Sequence, residues 1–238
     1  MANADQSNSN SVNKILKIGS INIWGLSSRS NFCLNKYVED EGLDILTLQE
    51  LKGPTGELNP NNLVIDNMSH ITDTNNATNK GTAIYVSNNF SITKLETISK
   101  LSKNIDTCWG LVVAQGKRII IGSAYIKLNY EPGIAEVLNM LKEAEKMKDK
   151  LKACGIVLTG DFNSRHISWG DTFNGPYGKK LFESLDHSAY SICTSKTPTF
   201  LCHSGGSYID LMIVSNRLHW STKFFSKMPS IWFLTDFH

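Results

Sequence analysis

The stretch IVLTGDFNSRHISWGD, residues 156–171, carries the strongest pattern in this chain of 238 residues. Its apolar start, IVL, stands between glycine-containing turn residues, which predicts a short buried strand. Asp161 and Asn163 follow at once, and in an extended backbone their i, i+2 spacing directs both side chains to the same face. A buried strand that delivers an acid and an amide to a loop is one way to build a site on a rigid scaffold. An ordinary Asp/Asn turn explains the same residues as well.

The composition is that of a globular protein with little net charge. Hydrophobic residues make up 41% of the chain, which is enough for a sizeable core in one large domain or two small ones. The net charge of +2 is too small to indicate nucleic-acid binding by itself. Five scattered cysteines without a CxxC pair suggest neither a disulfide framework nor a zinc site, and they favour a reducing compartment. No apolar run is as long as a membrane span, and the polar N-terminus does not resemble a signal peptide.

The pattern along the chain predicts a disordered arm over residues 1–13 and one domain over residues 14–238. The arm, MANADQSNSNSVN, has almost nothing to bury. Predicted strands cover 15–23, 43–50, 81–86, 109–115, 118–125, 156–158 and 205–215. One predicted helix begins at a Ser30 cap and ends at Gly42, and two others cover 136–152 and 178–190. Residues 54–79 are predicted to be a loop. Helices interleaved with strands and hairpins indicate a layered α/β or α+β domain.

Polar side chains recur where these predicted strands end. They are Asn22, Glu50, Tyr125, Asp161 with Asn163, and Asp210, and the sequence closes on Asp236 and His238. Each alone is more often a structural residue, but together they are the groups that metal-assisted phosphodiester hydrolysis needs. Carboxylate oxygens bind a hard divalent cation, and a histidine braced by a carboxylate can position or deprotonate water. Amides and a tyrosine hydroxyl can hold a phosphate without adding negative charge.

The motifs that carry these residues resemble the exonuclease–endonuclease–phosphatase superfamily and occur in its order. They are INIWGL (21–26), LQE (48–50), SAY (123–125), GDFN (160–163), IDL (209–211) and the terminal TDFH. The resemblance spans nearly all of the chain after the arm. It implies a four-layered α/β sandwich in which two packed mixed sheets are flanked by helices.

A longer resemblance is to the apurinic-endonuclease-like domain of non-LTR (LINE-type) retrotransposons. GDFNSRHISWGD resembles the GDFN-x-x-H-x-x-W-G pattern of these domains, and PTF followed by GGSYIDL resembles the segment before their last catalytic strand. The resemblance implies an endonuclease that nicks one strand of double-stranded DNA and exposes a 3′-hydroxyl to prime reverse transcription. It also implies an intracellular, nuclear place of action and no membrane partner. No reverse transcriptase is present in these residues.

The resemblance assigns the metal site and the water by motif position. Glu50 would bind Mg²⁺, with Mn²⁺ as the alternative, and Asn22 would help to set that site. Asp236 would be an additional metal-site carboxylate. Asp161 would orient the nucleophilic water or the leaving group.

The resemblance also assigns the contacts to the phosphate. Asn163 and Tyr125 would bind it, and His238 would engage the scissile phosphate or the water while Asp210 holds its imidazole. His166 matches the retrotransposon pattern and is a candidate substrate contact, although packing within its loop is favoured for it over chemistry.

The sequence departs from the family pattern at two points. Trp24 stands where many repair enzymes of the superfamily carry a metal-binding acid, which the retrotransposon domains often lack too. The family's adjacent Asp and His are here separated by Phe237, and the sequence stops where the family continues into a final strand, so the domain is expected to lack that strand and to leave a sheet edge open. An inserted residue turns the next side chain of a strand to the other face unless a bulge restores it, and both orientations of His238 remain open.

Two other functions also remain open. One is a phosphodiesterase or phosphatase of the same fold that acts on abasic DNA, RNA or a phospholipid, because fold does not decide substrate. The other is a remnant that binds DNA but no longer cuts it, since its C-terminal motif is interrupted. Target sequence, strand preference and oligomeric state depend on surface loops that the sequence does not define.

Overall fold

A computed structural model describes residues 15–53, 56–74, 80–102, 104–128, 130, 132–186, 188–195, 197–202, 205–219, 222–226 and 230–234. The predicted N-terminal arm, Asp236 and His238 lie outside these residues. In chain order the elements are β1 Leu16–Asn22, α1 Ser28–Glu41, β2 Ile45–Gln49, β3 Met68–Asp73, β4 Thr82–Ser87, β5 Ser91–Lys94, α2 Glu96–Ser99, β6 Asp106–Ala114, β7 Lys117–Tyr125, α3 Pro132–Leu151, β8 Ile156–Asp161, α4 Pro176–Leu185, β9 Tyr190–Cys193, β10 Phe200–Cys202, β11 Gly205–Ser207, β12 Asp210–Ser215, α5 Asn216–His219, β13 Thr222–Ser226 and β14 Ser230–Leu234. Short 3-10 helices lie at Pro60–Leu63 and Ile167–Trp169.

The strands form two six-stranded mixed sheets and a separate hairpin. The first sheet has the order β13-β14-β1-β2-β4-β3, and the second has the order β5-β6-β7-β8-β12-β9. Each sheet contains a parallel pair, β1 with β2 in the first and β7 with β8 in the second. The remaining pairs are antiparallel, and β10 with β11 makes the hairpin.

Three apolar clusters separate four layers. In β2, Ile45 belongs to the cluster between the two sheets, whereas Leu46 and Leu48 pack on the outer side, in the cluster that contains Leu34 of α1. In β7, Ile121 lies between the sheets and Ile120 packs in the outer cluster with α3 and α4. Alternating side chains of a strand that is covered on both faces all become buried, which explains the continuous apolar runs in the sequence. The predicted sandwich of two mixed sheets flanked by helices is confirmed.

The predicted cap of α1 was wrong by three residues. Ser27 is the N-cap: its Oγ accepts a hydrogen bond from the backbone N–H of Ser30 (3.2 Å), and Ser30 Oγ accepts one from the N–H of Ser27 (2.7 Å). This is a capping box in which serine takes the place usually held by Glu or Gln. Gly42 ends the helix in the left-handed conformation, as predicted.

Several edge elements were missed or misplaced by the sequence pattern. β3 lies in the segment 54–79 predicted to be a loop, and its sequence MSHITD is too polar to show a strand period because it forms a sheet edge. The predicted helix 178–190 ends at Leu185, and its last residue begins β9. The predicted strand 205–215 is two strands, β11 and β12. The first sheet continues past β1, since β14 joins β1 and β13 joins β14. The predicted lack of a further strand after His238 stays a prediction.

Candidate active site

Five strand ends from both sheets meet at one end of the sandwich. Because β1 and β2 are parallel and β7 and β8 are parallel, their carboxyl ends point the same way, and the antiparallel β12 begins there. Tyr125, Asp161 and Asp210 are direct neighbours in one row across β7, β8 and β12. Together with Asn22 and Glu50 they line a cleft of about 740 Å³. The structure therefore brings together these predicted site residues, which are distant in sequence.

Strand alternation directs the row into the layer between the sheets. Val157 of β8 and Met212 of β12 belong to the inter-sheet cluster, and Asp161 and Asp210 lie an even number of residues further along the same strands. Asn22 has the same relation to Ile18 of β1. The cleft is thus the open end of the inter-sheet layer.

The amide of Asn22 joins the two sheets at this end. Its Nδ2 donates to Glu50 Oε1 (2.8 Å) and to Asp161 Oδ2 (2.9 Å). Its Oδ1 accepts from the backbone N–H of Trp24 (3.1 Å), which fixes the orientation of the amide. A single side chain therefore sets the positions of two carboxylates, one from each sheet.

Backbone strain is concentrated at the cleft. Trp24, Glu50 and Asn163 have φ of 44°, 51° and 46°, and they are three of the six non-glycine residues with positive φ in the described part of the chain. Such a conformation costs about 1–3 kcal/mol and is retained at functional sites. It has a visible effect at Glu50, which follows the inward-facing Gln49 and would point outward in an extended strand. The left-handed turn instead brings its carboxylate to the Asn22 amide.

The Asp161–Asn163 segment is both a turn and part of the site. The strand ends at Asp161, so the extended geometry assumed for the i, i+2 pair was wrong. Asp161 Oδ1 accepts from the backbone N–H of Asn163 (2.9 Å), and Asn163 Nδ2 donates to the carbonyl of Ile126 (2.8 Å). Gly160 is required beside them, because a Cβ there would lie 1.9 Å from the carbonyl oxygen of Ala124.

Asp161 and Asp210 are neighbours across β8 and β12, and both carboxylates are buried from solvent. Burial and then the charge of Asp210 raise the pKa of Asp161, although the Asn22 amide and the Asn163 N–H partly offset this rise. Burial raises the pKa of Asp210, against a hydrogen bond from Thr199 that lowers it. Burial, followed by the charges of Glu50 and Asp161, raises the pKa of Tyr125, so its phenol stays protonated and can donate. The raised pKa values mean that the negatively charged forms of Asp161, Asp210 and Tyr125 are disfavoured in the cleft.

The donor set fits a hard divalent cation. Glu50 and Asp161 each accept a hydrogen bond from the Asn22 amide, which holds their carboxylate oxygens close together. The cation that pairs with Glu50 is Lys80, whose Nζ lies 3.6 Å from Glu50 Oε2. In the described part of the chain no three His, Cys, Asp or Glu side chains form a ready-made metal cluster. Mg²⁺ needs only one or two carboxylates because it keeps several waters, whereas a structural zinc site would need four His or Cys ligands.

Asp210 has an unsatisfied oxygen that points to a missing donor. Its Oδ1 is buried and has no hydrogen-bond partner among the residues that the structure describes. The predicted partner, the imidazole of His238, lies outside those residues, as does Asp236. Both stay predictions.

His166 is not brought to the cleft. Its Nδ1 accepts from the backbone N–H of Ser168 (3.1 Å), and its ring stacks on Phe182 with centroids 4.6 Å apart. Trp169 packs on it at 5.0 Å. The buried ring therefore has the packing role that the sequence favoured, and the structure gives no support to a direct substrate contact by His166.

A buried polar layer lies below the cleft and was not predicted. Thr47 and Thr159 join the two sheets through their hydroxyls (2.7 Å). Gln49 Nε2 donates to Ser123 Oγ (3.0 Å), which donates to the carbonyl of Leu48. Polar residues inside otherwise apolar strands were the available signal, because a buried polar group needs a partner.

The rim of the cleft combines exposed apolar side chains with a cation. Trp24, Leu128 and Phe200 are 69%, 61% and 46% exposed and line the cleft. Arg165 lines it too, with Nε 3.1 Å from Asp171 Oδ1 and its guanidinium 4.7 Å from the ring of Phe173. Arg165 follows Asn163 by two residues in the motif, and that proximity was the only sequence signal for it.

Sequence comparisons identify relatives among transposon proteins. The family model described as Endonuclease-reverse transcriptase (Exo_endo_phos_2) matches residues 119–230. A probable RNA-directed DNA polymerase from transposon BS of Drosophila melanogaster is 39% identical over 59 residues. That match covers 24% of this chain and 6% of the relative, so the chain spans only a small part of that protein's length. None of the described helices is both long and apolar enough to cross a membrane.

Solved structures share the fold at low sequence identity. The endonuclease domain of TRAS1, a telomere-specific non-LTR retrotransposon, superposes with a TM-score of 0.73 at 14% identity, covering 93% of this chain and 98% of that one. A mannosyl-6-phosphatase of Bacteroides thetaiotaomicron gives 0.60 at 14% identity, over 93% and 100% of the two chains. D. rerio TDP2 complexed with a single-strand DNA product gives 0.58 at 12% identity, over 93% and 98%. The chain is therefore similar over residues 119–230 to the endonuclease–reverse transcriptase family, and it shares its fold with the endonuclease domain of a non-LTR retrotransposon.

Proposed function

We propose that this chain nicks one strand of double-stranded DNA by metal-assisted hydrolysis and leaves a 3′-hydroxyl that primes reverse transcription. The observation that carries the proposal is the Asn22 amide, which holds Glu50 and Asp161 from different sheets in one cleft beside the row of Tyr125 and Asp210. This arrangement supports a role in phosphodiester cleavage for the five residues Asn22, Glu50, Tyr125, Asp161 and Asp210. A retrotransposon function implies action on chromosomal DNA and hence in the nucleus.

Glu50 and Asp161 would hold the cation, with Asn22 keeping their oxygens in place and Asp236 adding a carboxylate. When bound there, Mg²⁺ or Mn²⁺ supplies Lewis-acid stabilisation of the charge that develops on the phosphate. Asp161 would also orient the attacking water or the leaving oxygen.

Neutral donors and a histidine complete the proposed machinery. The protonated phenol of Tyr125 and the amide of Asn163 line the cleft, where they can bind a phosphate oxygen. The unsatisfied Oδ1 of Asp210 is an acceptor suited to an imidazole N–H, which supports the pairing of Asp210 with His238.

DNA is favoured as the substrate over a small phosphate ester because of the rim. The exposed apolar faces of Trp24, Leu128 and Phe200 surround the carboxylates, and such faces pack on bases and sugars. A sugar phosphate would leave most of this apolar surface in water. Among proteins of this fold, D. rerio TDP2 binds a DNA product.

The deciding experiment is nicking of supercoiled plasmid with Mg²⁺ and with EDTA. Native protein should give relaxed circles only with Mg²⁺, and Asp161→Asn and His238→Ala should abolish them. Asp149→Asn, the same change at an exposed position on α3, is the control and should cut normally. Folded native protein that leaves plasmid intact but cleaves RNA or a phosphomonoester would support another substrate. DNA binding without any cleavage would support the remnant.

A further inference from the structure

Four cations converge at the end of the sandwich opposite to the cleft. Lys117 and Arg118 begin β7, Lys152 follows α3, and Arg217 lies in α5 after β12; they line one open depression of about 570 Å³. We call these four residues the distal basic patch. All four side chains are exposed, and no carboxylate lines this depression in the part of the chain that the structure describes.

The charge of the distal basic patch is not balanced by its surroundings. Among the described residues none of its four cations forms an ion pair, whereas other surface lysines do, as in Lys36–Asp40 and Lys179–Glu183. The carboxylates of the adjoining depression, Glu145 and Asp149, pair with Lys148 instead.

The C-terminus of α3 explains only part of this charge. Arg118 Nη1 donates to the carbonyl of Leu151, so one cation caps the helix end. The negative end of a helix dipole is equivalent to about half an elementary charge, against four full positive charges here. Lys152 also has φ of 54°, a conformation that Gly or Asn adopts at lower cost.

The distal basic patch and the cleft lie at opposite ends of the second sheet. β7 runs from Lys117 at the patch to Tyr125 at the cleft, and eight residues of strand rise about 26 Å. The two sites therefore open at opposite ends of this strand.

We propose that the distal basic patch binds the phosphate backbone of a second nucleic-acid segment, separate from the one in the cleft. Unpaired Lys and Arg side chains around an open depression suit a polyanion, which gains affinity by releasing its counterions. A membrane surface fits less well, since no exposed large hydrophobic residue adjoins the patch in the described chain. The choice of nucleic acid over another polyanion rests on the proposed function.

Cys154 offers a local probe of occupancy. It lines the same depression and is half-buried, whereas Cys33 is exposed on α1, far from the patch. Burial raises the pKa of the Cys154 thiol, and the charges of Lys117 and Arg217 lower it, so both cations lie beside the thiol. A bound backbone at the patch should slow maleimide labelling of Cys154 and leave Cys33 unchanged.

The test measures binding of the full chain to a short fluorescent RNA and to a short DNA duplex in EDTA, where no cutting occurs. Lys117→Ser/Arg217→Ser should weaken binding and lower the slope of log affinity against log salt by about two, close to one per lost phosphate contact. Lys36→Ser/Lys179→Ser removes the same charge elsewhere and should leave the slope almost unchanged. Lys152→Gly should weaken binding without lowering the melting temperature, which separates a binding role from a structural one.

Equal effects of the patch and control double variants would overturn the proposal, as would unprotected Cys154 in saturating nucleic acid. Protection by anionic phosphatidylserine vesicles but not by nucleic acid would overturn it in favour of a membrane. Plasmid nicking by Lys117→Ser/Arg217→Ser should remain, since the patch is remote from the cleft. Binding at the patch by a chain that never cuts DNA would leave this proposal standing and refute the proposed function.

Discussion

Replacing Asn22 by alanine is the most direct test of how the cleft is built. The change removes two hydrogen bonds to carboxylates, of 2.8 and 2.9 Å, and leaves Glu50 and Asp161 facing each other without a donor between them. Hydrogen bonds to charged groups contribute about 1.5–3 kcal/mol each. Because the cleft admits water, which can replace part of this, we expect the free energy of unfolding in EDTA to fall by about 2–3 kcal/mol.

The larger effect of Asn22→Ala should be on the affinity of the cleft for Mg²⁺. A residue that orients metal ligands typically contributes about 10–100-fold to metal affinity. We therefore expect Asn22→Ala to need about 10–100-fold more Mg²⁺ for half-maximal nicking, and excess Mg²⁺ should restore part of the rate. The assay is plasmid nicking over a Mg²⁺ titration, with urea unfolding in EDTA on the same preparations.

Asn31→Ala is the matched control for this experiment. Asn31 Nδ2 also donates two hydrogen bonds, to the carbonyls of Asn62 (2.8 Å) and Val64 (2.6 Å), but it lies on α1, away from the cleft. We expect a similar loss of stability and an unchanged Mg²⁺ requirement. An unchanged Mg²⁺ requirement in Asn22→Ala would refute the role of this amide, and an equal increase in both variants would attribute it to general destabilisation.

Further predictions concern charge, packing and the rim. Raised carboxyl pKa values mean that the metal-free native state binds protons more tightly than the unfolded chain, so stability should fall as pH rises above about 4. Asp210→Asn removes the charge opposite Asp161 and should stabilise the protein by about 1–2 kcal/mol near pH 8 in EDTA but not near pH 4, as measured by urea unfolding; equal effects at both pH values would contradict this. Thr159→Val loses the inter-sheet bond to Thr47 and should cost about 1–2 kcal/mol in the same assay. Trp24→Gly should relieve the left-handed backbone strain and raise the melting temperature, but it should increase KM for DNA because the indole is lost. Trp24→Phe should keep KM near the native value. A KM unaffected by either change would exclude a contact between the rim and DNA.

The sequence predicted the central parts of the fold because their signals are local. The buried strand of GDFN has an apolar run with a required glycine, and α3 has a clear apolar face. Polar edge strands such as β3 were missed, since one exposed face and a polar sequence remove the period. The cap of α1 was misplaced because Ser27 and Ser30 are both good caps, and only the reciprocal hydrogen bonds decide between them.

The sequence predicted several of the residues that meet at the cleft, but not how they contact each other. The motifs named Asn22, Glu50 and Asp161, yet nothing in their order says that one amide binds both carboxylates. That contact depends on how the two sheets face each other, which is decided by the inter-sheet packing of residues such as Thr47 and Thr159. Lys80 approaches Glu50 from the segment before β4 without any motif around it. Contacts across sheets are the part that a single sequence does not encode locally.

The position of the cleft at the end of the inter-sheet layer explains why its residues lower the stability of the folded protein. Elsewhere in that layer apolar side chains from both sheets stabilise each other, but at this end the same strand faces carry Asp161 and Asp210, whose charges repel and lack full solvation. Glu50 and Trp24 add backbone strain at the same place. A cation would relieve the charge, and a substrate would cover the exposed indole. Folding therefore leaves unfavourable charge and strain at the cleft that binding can relieve, so Mg²⁺ should raise the melting temperature of the native protein more than that of Asn22→Ala.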